Sequence, residues 1–170
     1  MKLYSSKVPV IAMDIVRVLT ADKDIEVTSA REVEADIEAV LREYLRMERD
    51  LTEKAKDRVE QVGGGREDIA RVKKTMAEAK NIGLGGDAIS FILNQIIVML
   101  MRSPHVDEVF SEDDVIRRKA KKVLERHMAA DEELDREVRD QIKNFQEGTR
   151  TWEVEYQRVT EQVKRRRGIT

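Results

Sequence analysis

Cysteine is absent from this chain of 170 residues, and proline and aromatic residues are scarce. Without cysteine there can be no disulfide, no thiolate nucleophile and no zinc–thiolate site. An aromatic content of 4% beside a charged content of 39% suits amphipathic helices better than a thick globular core. The chain also has no large excess of charge of either sign, because 32 basic residues nearly balance 34 acidic ones. The overall charge therefore neither favours nor excludes nucleic acid as a partner.

Long hydrophobic runs are missing too. The most apolar run, residues 88–101, is interrupted by Asn94 and Gln95 and is too short to cross a bilayer. It predicts a helix at the centre of the protein, with an exposed docking surface as the alternative. Asp14 and Arg17 interrupt the apolar part of the N-terminal segment, which is therefore a poor signal peptide. We expect a soluble, cytoplasmic protein with no membrane insertion.

What the chain does contain is one long helical pattern written twice. The apolar residues of segment 33–62 recur at spacings of three and four, and a constant shift superimposes them on apolar residues of segment 116–145, except that Tyr44 falls on His127. The chain then reads as two tandem copies, residues 1–83 and residues 84–170. Each copy contains a short helix, a turn, a long helix, a glycine break and another short helix.

This plan predicts an all-α, elongated and pseudo-symmetric body with two long helices and shorter covering helices. Thr28 and Ser111 are expected to cap the long helices. The turns before them could hold a little extended structure, but no alternation is long enough for a larger sheet. Because one copy cannot bury its own apolar stripe, the two copies are expected to share one core. The predicted helices span residues 5–21, 28–62, 66–81, 87–102, 111–145 and 149–167.

No pattern for catalysis or metal binding stands out. Neither His105 nor His127 lies three residues after a glutamate, as di-metal sites in helical bundles require. The glycine-rich stretch 83–89 matches neither a P-loop nor a dinucleotide fingerprint, and Asp87 would repel a phosphate there. We therefore expect no enzyme activity, no catalytic or metal-binding residues and no cofactor.

The basic end of the chain is the most informative polar feature. Lys164, Arg165, Arg166 and Arg167 follow one another, and Arg158 precedes them on the same predicted helix. These five cations are candidates for binding a partner or the phosphates of a nucleic acid.

Two aromatic residues on the same helix form a candidate aromatic face. Trp152 and Tyr156 are four residues apart, so their rings share one side of the helix. Rings beside arginines can stack on RNA bases. We favour the alternative, in which the rings anchor the last helix and the cations complement its C-terminal dipole.

Two stretches of the chain, REYLRMERDLTEKAKDRVEQV and EGTRTWEVEYQRVTEQVKRRRG, resemble the bacterial family known as domain of unknown function 507. The family pattern joins a long charged helix to a Gly–Ser–x–x–Trp element and an arginine-rich end. Gly148, Thr149 and Trp152 occupy that element here, with threonine for serine, while the first copy has GGGREDI at the corresponding place. The resemblance implies a bacterial, intracellular helical protein, and it implies no activity.

Together these features favour a non-enzymatic helical binding or scaffolding protein that presents long charged helical faces to a macromolecular partner. A protein is the expected partner. The alternative is a factor associated with RNA, the ribosome or DNA that uses the basic C-terminal tail. A monomeric pseudo-dimer and a homo-oligomer both remain open.

Overall fold

The computed structural model of the chain describes residues 2–168. Those residues form six α-helices and two short β-strands, and the predicted all-α class is confirmed with one small sheet added. Each predicted helix is present, with its ends shifted by a few residues. In chain order the elements are α1 (Val8–Ala21), β1 (Ile25–Val27), α2 (Ala30–Gln61), α3 (Glu67–Ala79), α4 (Ala88–Arg102), β2 (Val106–Val109), α5 (Asp113–Gln141) and α6 (Arg150–Arg166).

The two strands come from the two turns that precede the long helices. β1 and β2 pair antiparallel, with Ile25 opposite Val109 and Val27 opposite Val106, and the register shifts between these pairs. Branched apolar residues suit such a half-buried ribbon, and the Ile25 side chain is buried. Extended structure in the turns was an open possibility in the sequence. What the sequence does not show is that the turns pair with each other.

The predicted cap of α2 was wrong by one residue. Ser29 is the cap, because its hydroxyl accepts a hydrogen bond from a main-chain N–H in the first turn. The Thr28 hydroxyl instead donates to Asp107, 2.8 Å away beside the ribbon. Ser111 is likewise engaged across the ribbon, where its hydroxyl donates to the Asp24 carboxylate at 2.6 Å.

The chain divides into two compact units. Residues 3–125 form the larger unit, and the smaller one contains α6 with the part of α5 from Arg126 onward. The predicted division into residues 1–83 and 84–170 is a division by repeat, and it stays a prediction.

In the larger unit, α2 packs against α1, α3 and α4. α3 runs back along the C-terminal part of α2, and Lys73 on α3 lies 3.2 Å from Glu48 on α2. Farther along, the Tyr44 hydroxyl donates to the main-chain oxygen of Gly83. The residues of α2 that are buried by this packing recur at helical spacing: Val33, Ile37, Leu41, Tyr44, Leu51, Ala55 and Val59.

Helix α4 has one buried face and one open face. Ile92 and Ile96 are fully buried, as expected for a central helix, whereas Val98 is 46% and Met101 55% exposed. By length and composition the 18-residue segment Gly85–Arg102 could also cross a membrane, with a mean hydropathy of 1.2. A core helix meets the same criterion, so this composition alone says nothing about location.

The smaller unit has a core of its own between the end of α5 and α6. Trp152 and Tyr156 pack against this core, and both are only partly buried. Thr149 caps α6, since its hydroxyl accepts a hydrogen bond from the main-chain N–H of Trp152. The buried core residues are Leu134, Val138, Ile142, Val159 and Val163.

Candidate functional site

The candidate aromatic face lies between α6 and α5. The rings of Trp152 and Tyr156 stack with centroids 4.9 Å apart and planes inclined by 21°. The guanidinium group of Arg139 lies 5.4 Å from the centre of the Trp152 ring and 5.9 Å from that of Tyr156. Both rings therefore contact α5 of the same chain, through packing and through a cation–π contact with Arg139.

Polar contacts hold the same residues in place. Arg139 donates to Asp135 and Glu147, and hydrogen bonding to Glu147 is the main reason that the pKa of Arg139 is raised. The Tyr156 hydroxyl donates to the Asp135 carboxylate. This geometry is that of an anchor for α6, which is the interpretation favoured from the sequence.

The basic end of the chain is paired with carboxylates. Arg158 donates to Glu155, which raises the pKa of Arg158, and Arg165 lies 3.6 Å from Glu161. Arg166 and Arg167 both donate to Glu137 on α5. Lys164 is partly buried. Four of the five predicted cations thus lie on α6 and Arg167 directly follows it, and four of the five have an acidic partner within the protein.

An open groove between α2 and α3 was not predicted from the sequence. Its volume is about 420 Å³ and its floor is apolar. Val62 was assigned to the core stripe, yet it is 72% exposed, because α2 ends at Gln61 and Val62 lies beyond the last covered turn. The lining residues are Arg58, Val62, Arg71, Val72, Thr75, Met76 and Ala79.

Two arginines give this α2–α3 groove a cationic rim. Arg58 lies in the last turn of α2, and Arg71 lies on α3. Arg71 donates to Asp68 at 2.8 Å, and this bond, helped by the main-chain N–H of Gly65, lowers the pKa of Asp68. Both arginine side chains are exposed and can reach a ligand in the groove.

A second groove, of about 320 Å³, lies between α2 and α4. Tyr44 forms part of its floor, and burial, with a smaller effect of Glu48, raises the pKa of Tyr44 to about 12. Glu43 on its rim accepts two hydrogen bonds from Arg46, which lower the pKa of Glu43. The lining residues are Asp36, Ala39, Val40, Glu43, Tyr44, Met47, Phe91, Ile92, Gln95 and Met99.

One feature of the sequence, the position of its methionines, could have indicated the grooves. Met47, Met76 and Met99 each line a groove, and methionine is common on adaptable binding surfaces. Among residues 2–168, no group of three or more histidine, aspartate or glutamate side chains is placed to hold a metal ion.

Comparison with known families agrees with the resemblance seen at the C-terminal end. The family described as "Protein of unknown function (DUF507)" matches residues 1–169. The chain belongs to this family. No curated protein matches the chain. The description of the DUF507 family names no activity.

Proposed function

We propose that this chain is a non-enzymatic helical binding protein whose α2–α3 groove holds an acidic amphipathic helix of a partner protein. The observation that carries the proposal is the composition of that groove, which has an open apolar floor between two arginines. Long charged faces of α2 flank the site and would orient the partner.

The apolar floor supports a helical ligand. Val62, Val72 and Met76 are spread along the seam between two helices, and a third helix packs into such a seam with side chains at spacings of three and four. Solvent contact at Val62 is costly in the free protein, and a ligand that covers the Val62 side chain removes this cost.

The rim supports an acidic ligand. Arg58 and Arg71 face the groove, and Asp68 offsets only the charge of Arg71. Exposed ion pairs contribute at most about 1 kcal/mol each, so the pairs would select orientation and partner more than they would add affinity.

A scaffolding role is supported by the order of the elements. The order helix, strand, helix, helix occurs twice along the chain, as expected for two tandem copies. Val62 and Phe145 hold the same place in the predicted sequence repeat, each lies beyond the end of its long helix, and both are exposed. We propose that each copy offers an apolar residue at this place, so that one chain can engage two segments. A location in the bacterial cytoplasm is part of the same proposal.

A displayed library of helical peptides tests the function directly. The wild-type chain should select peptides with apolar residues at i, i+3 and i+4 beside glutamate or aspartate. The double variant Arg58→Glu, Arg71→Glu should select the same apolar spacing beside lysine or arginine, because the rim charge is reversed.

Arg49→Glu is the matched control. Arg49 is exposed on α2 and lies on the side of the helix opposite to Arg58, so this variant should select the wild-type peptides. The proposal is wrong if no helical peptide is enriched, or if the groove variant and the control select alike.

Nucleic acid remains the second candidate partner, through the basic end of the chain. In its favour, the side chains of Arg165 and Arg166 are largely exposed despite their ion pairs. Because the carboxylates of Glu137 and Glu161 already offset these charges, the α2–α3 groove is the better supported site.

A further inference from the structure

Helix α4 exposes a stripe of apolar and polar residues on the side away from its core face. Val98 and Met101 are about half exposed. Spacings of three and four place one set of residues along this side: Phe91, Asn94, Gln95, Val98, Met101 and Arg102. Contiguous exposed apolar surface often marks an interaction site.

The stripe borders the α2–α4 groove, and an arginine and a glutamate lie near its opposite ends. Arg102 ends the stripe, and no carboxylate within residues 2–168 pairs with it. Glu43 lies on the rim and accepts two hydrogen bonds from Arg46. Asp36 lies at the Arg102 end, where it accepts a hydrogen bond from Ser103. Glu43 is next to Tyr44, whose ring lies 6.0 Å from that of Phe91 at the opposite end of the stripe. One continuous surface thus contains a cation, Arg102, and a carboxylate, Glu43, near opposite ends.

We propose that a second copy of this chain covers this surface, with the two α4 helices packed antiparallel about a two-fold axis between Gln95 and Val98. Phe91 and Arg102 are three turns apart, about 16 Å along the helix. An antiparallel pairing centred between them places Arg102 of each copy beside Glu43 and Phe91 of the other.

Self-complementarity is the reason for choosing a second copy over another protein. A two-fold interface requires that one surface contain both members of every contact. The α4 surface meets this condition, since Val98 meets the methylene groups of Gln95, and Arg102 meets Glu43. This pairing uses neither Arg58 nor Val62, so it is independent of the proposed α2–α3 binding site.

Sedimentation velocity over a range of concentrations tests the dimer. The wild type should shift from monomer to dimer as concentration rises, whereas Val98→Asp should remain monomeric. Val154→Asp, at an exposed apolar residue of α6, is the control and should dimerise like the wild type. Far-UV circular dichroism should show all three chains equally folded, because each substitution is at an exposed position.

A charge exchange tests the geometry. Arg102→Glu alone and Glu43→Lys alone should each weaken dimerisation by about tenfold, since each places like charges together twice in a symmetric interface. The combined variant should regain the wild-type dimerisation, because it restores opposite charges.

The absence of cysteine permits a third measurement that does not depend on destabilising anything. Oxidation of Val98→Cys should give a covalent dimer, while Val154→Cys at the same concentration should not. A wild type that stays monomeric at every concentration overturns the proposal, and another occupant must then cover the stripe. A dimer that survives Val98→Asp, or no recovery in the charge-exchanged variant, overturns it as well.

Discussion

Asp24 links the turn before α2 to the start of α5, and its removal should destabilise the larger unit. The carboxylate is buried and accepts hydrogen bonds of 2.6 Å from both the Ser111 hydroxyl and the Lys119 ammonium group. Its main-chain oxygen also accepts the N–H of Phe110. Residues more than eighty positions apart are thus held together at one carboxylate.

The cost of Asp24→Ala follows from these contacts. Hydrogen bonds that involve a charged group contribute about 1.5–3 kcal/mol each, and the substitution removes two. However, Lys119 keeps Asp22 as a partner at 2.7 Å and reaches solvent, so the loss should lie well below the sum. We expect a decrease of about 2–3 kcal/mol in the free energy of unfolding, measured by urea titration. Asp22→Asn is the control, since Asp22 is exposed, and should stay within about 1 kcal/mol of the wild type.

The same carboxylate predicts a dependence on pH. Burial alone would raise the pKa of Asp24, but hydrogen bonds from Lys119 and Ser111 outweigh it, and the pKa lies below the ordinary value of 3.8. The folded state therefore binds this proton less readily than the unfolded chain does. The resulting stabilisation is complete above 3.8 and is lost as the pH falls through the lowered pKa.

Asp24→Asn should remove this component. The difference in unfolding free energy between the wild type and Asp24→Asn should be constant near neutral pH and should shrink below pH 4. Two results contradict this reasoning: an Asp24→Ala variant as stable as the wild type, or a difference that does not change between pH 7 and pH 3.

Three further predictions concern the core, the joint and the tail. Ile96→Asp should abolish the cooperative melt seen by circular dichroism, since Ile96 is fully buried and an unpaired carboxylate there costs several kcal/mol. Gly83→Ala should lower the melting temperature, because its Cβ would lie 2.5 Å from the main-chain oxygen of Asp87, whereas Gly86→Ala meets nothing within 4 Å and should not. At low salt the wild type should bind neither RNA nor DNA measurably, and replacing all of residues 164–167 by glutamine should change nothing. The nucleic-acid alternative would instead be supported if the wild type binds and if the log–log salt dependence of its affinity falls by about one unit for each residue replaced.

The helices could be predicted from the sequence because apolar spacing is a local property. Their ends could not. α5 was predicted to reach residue 145, but it ends at Gln141. The prediction was too long because the buried Ile142 continues the apolar pattern into the turn that follows the helix. The misplaced cap of α2 has a similar cause, because only the neighbouring strand decides whether Thr28 is free to cap a helix.

The candidate site was harder to predict because its partners come from distant residues. Arg139 lies on α5 and the two rings that it covers lie on α6, so no spacing rule within one helix connects them. The grooves depend on which side chains are left uncovered after packing. Val62 and Val59 look equivalent in the apolar stripe, yet Val59 is buried and Val62 is not.

The predicted architecture depends most on one claim, that residues from both predicted copies complete the core of the larger unit. In the larger unit, α4 from the second predicted copy packs on α2 from the first, and β2 pairs with β1. Cutting the chain between residues 83 and 84 would therefore expose Ile92 and Ile96 on one fragment and the facing side of α2 on the other.

Sedimentation velocity of the two fragments, 1–83 and 84–170, tests this claim most directly. Each fragment alone should self-associate, the second more strongly because it contains the more apolar helix α4. The mixture should form a 1:1 complex that melts below the intact chain, because the covalent link raises the local concentration of one copy near the other. Two stable monomeric fragments that do not associate with each other would mean that each copy has a complete core of its own, and would contradict the shared core.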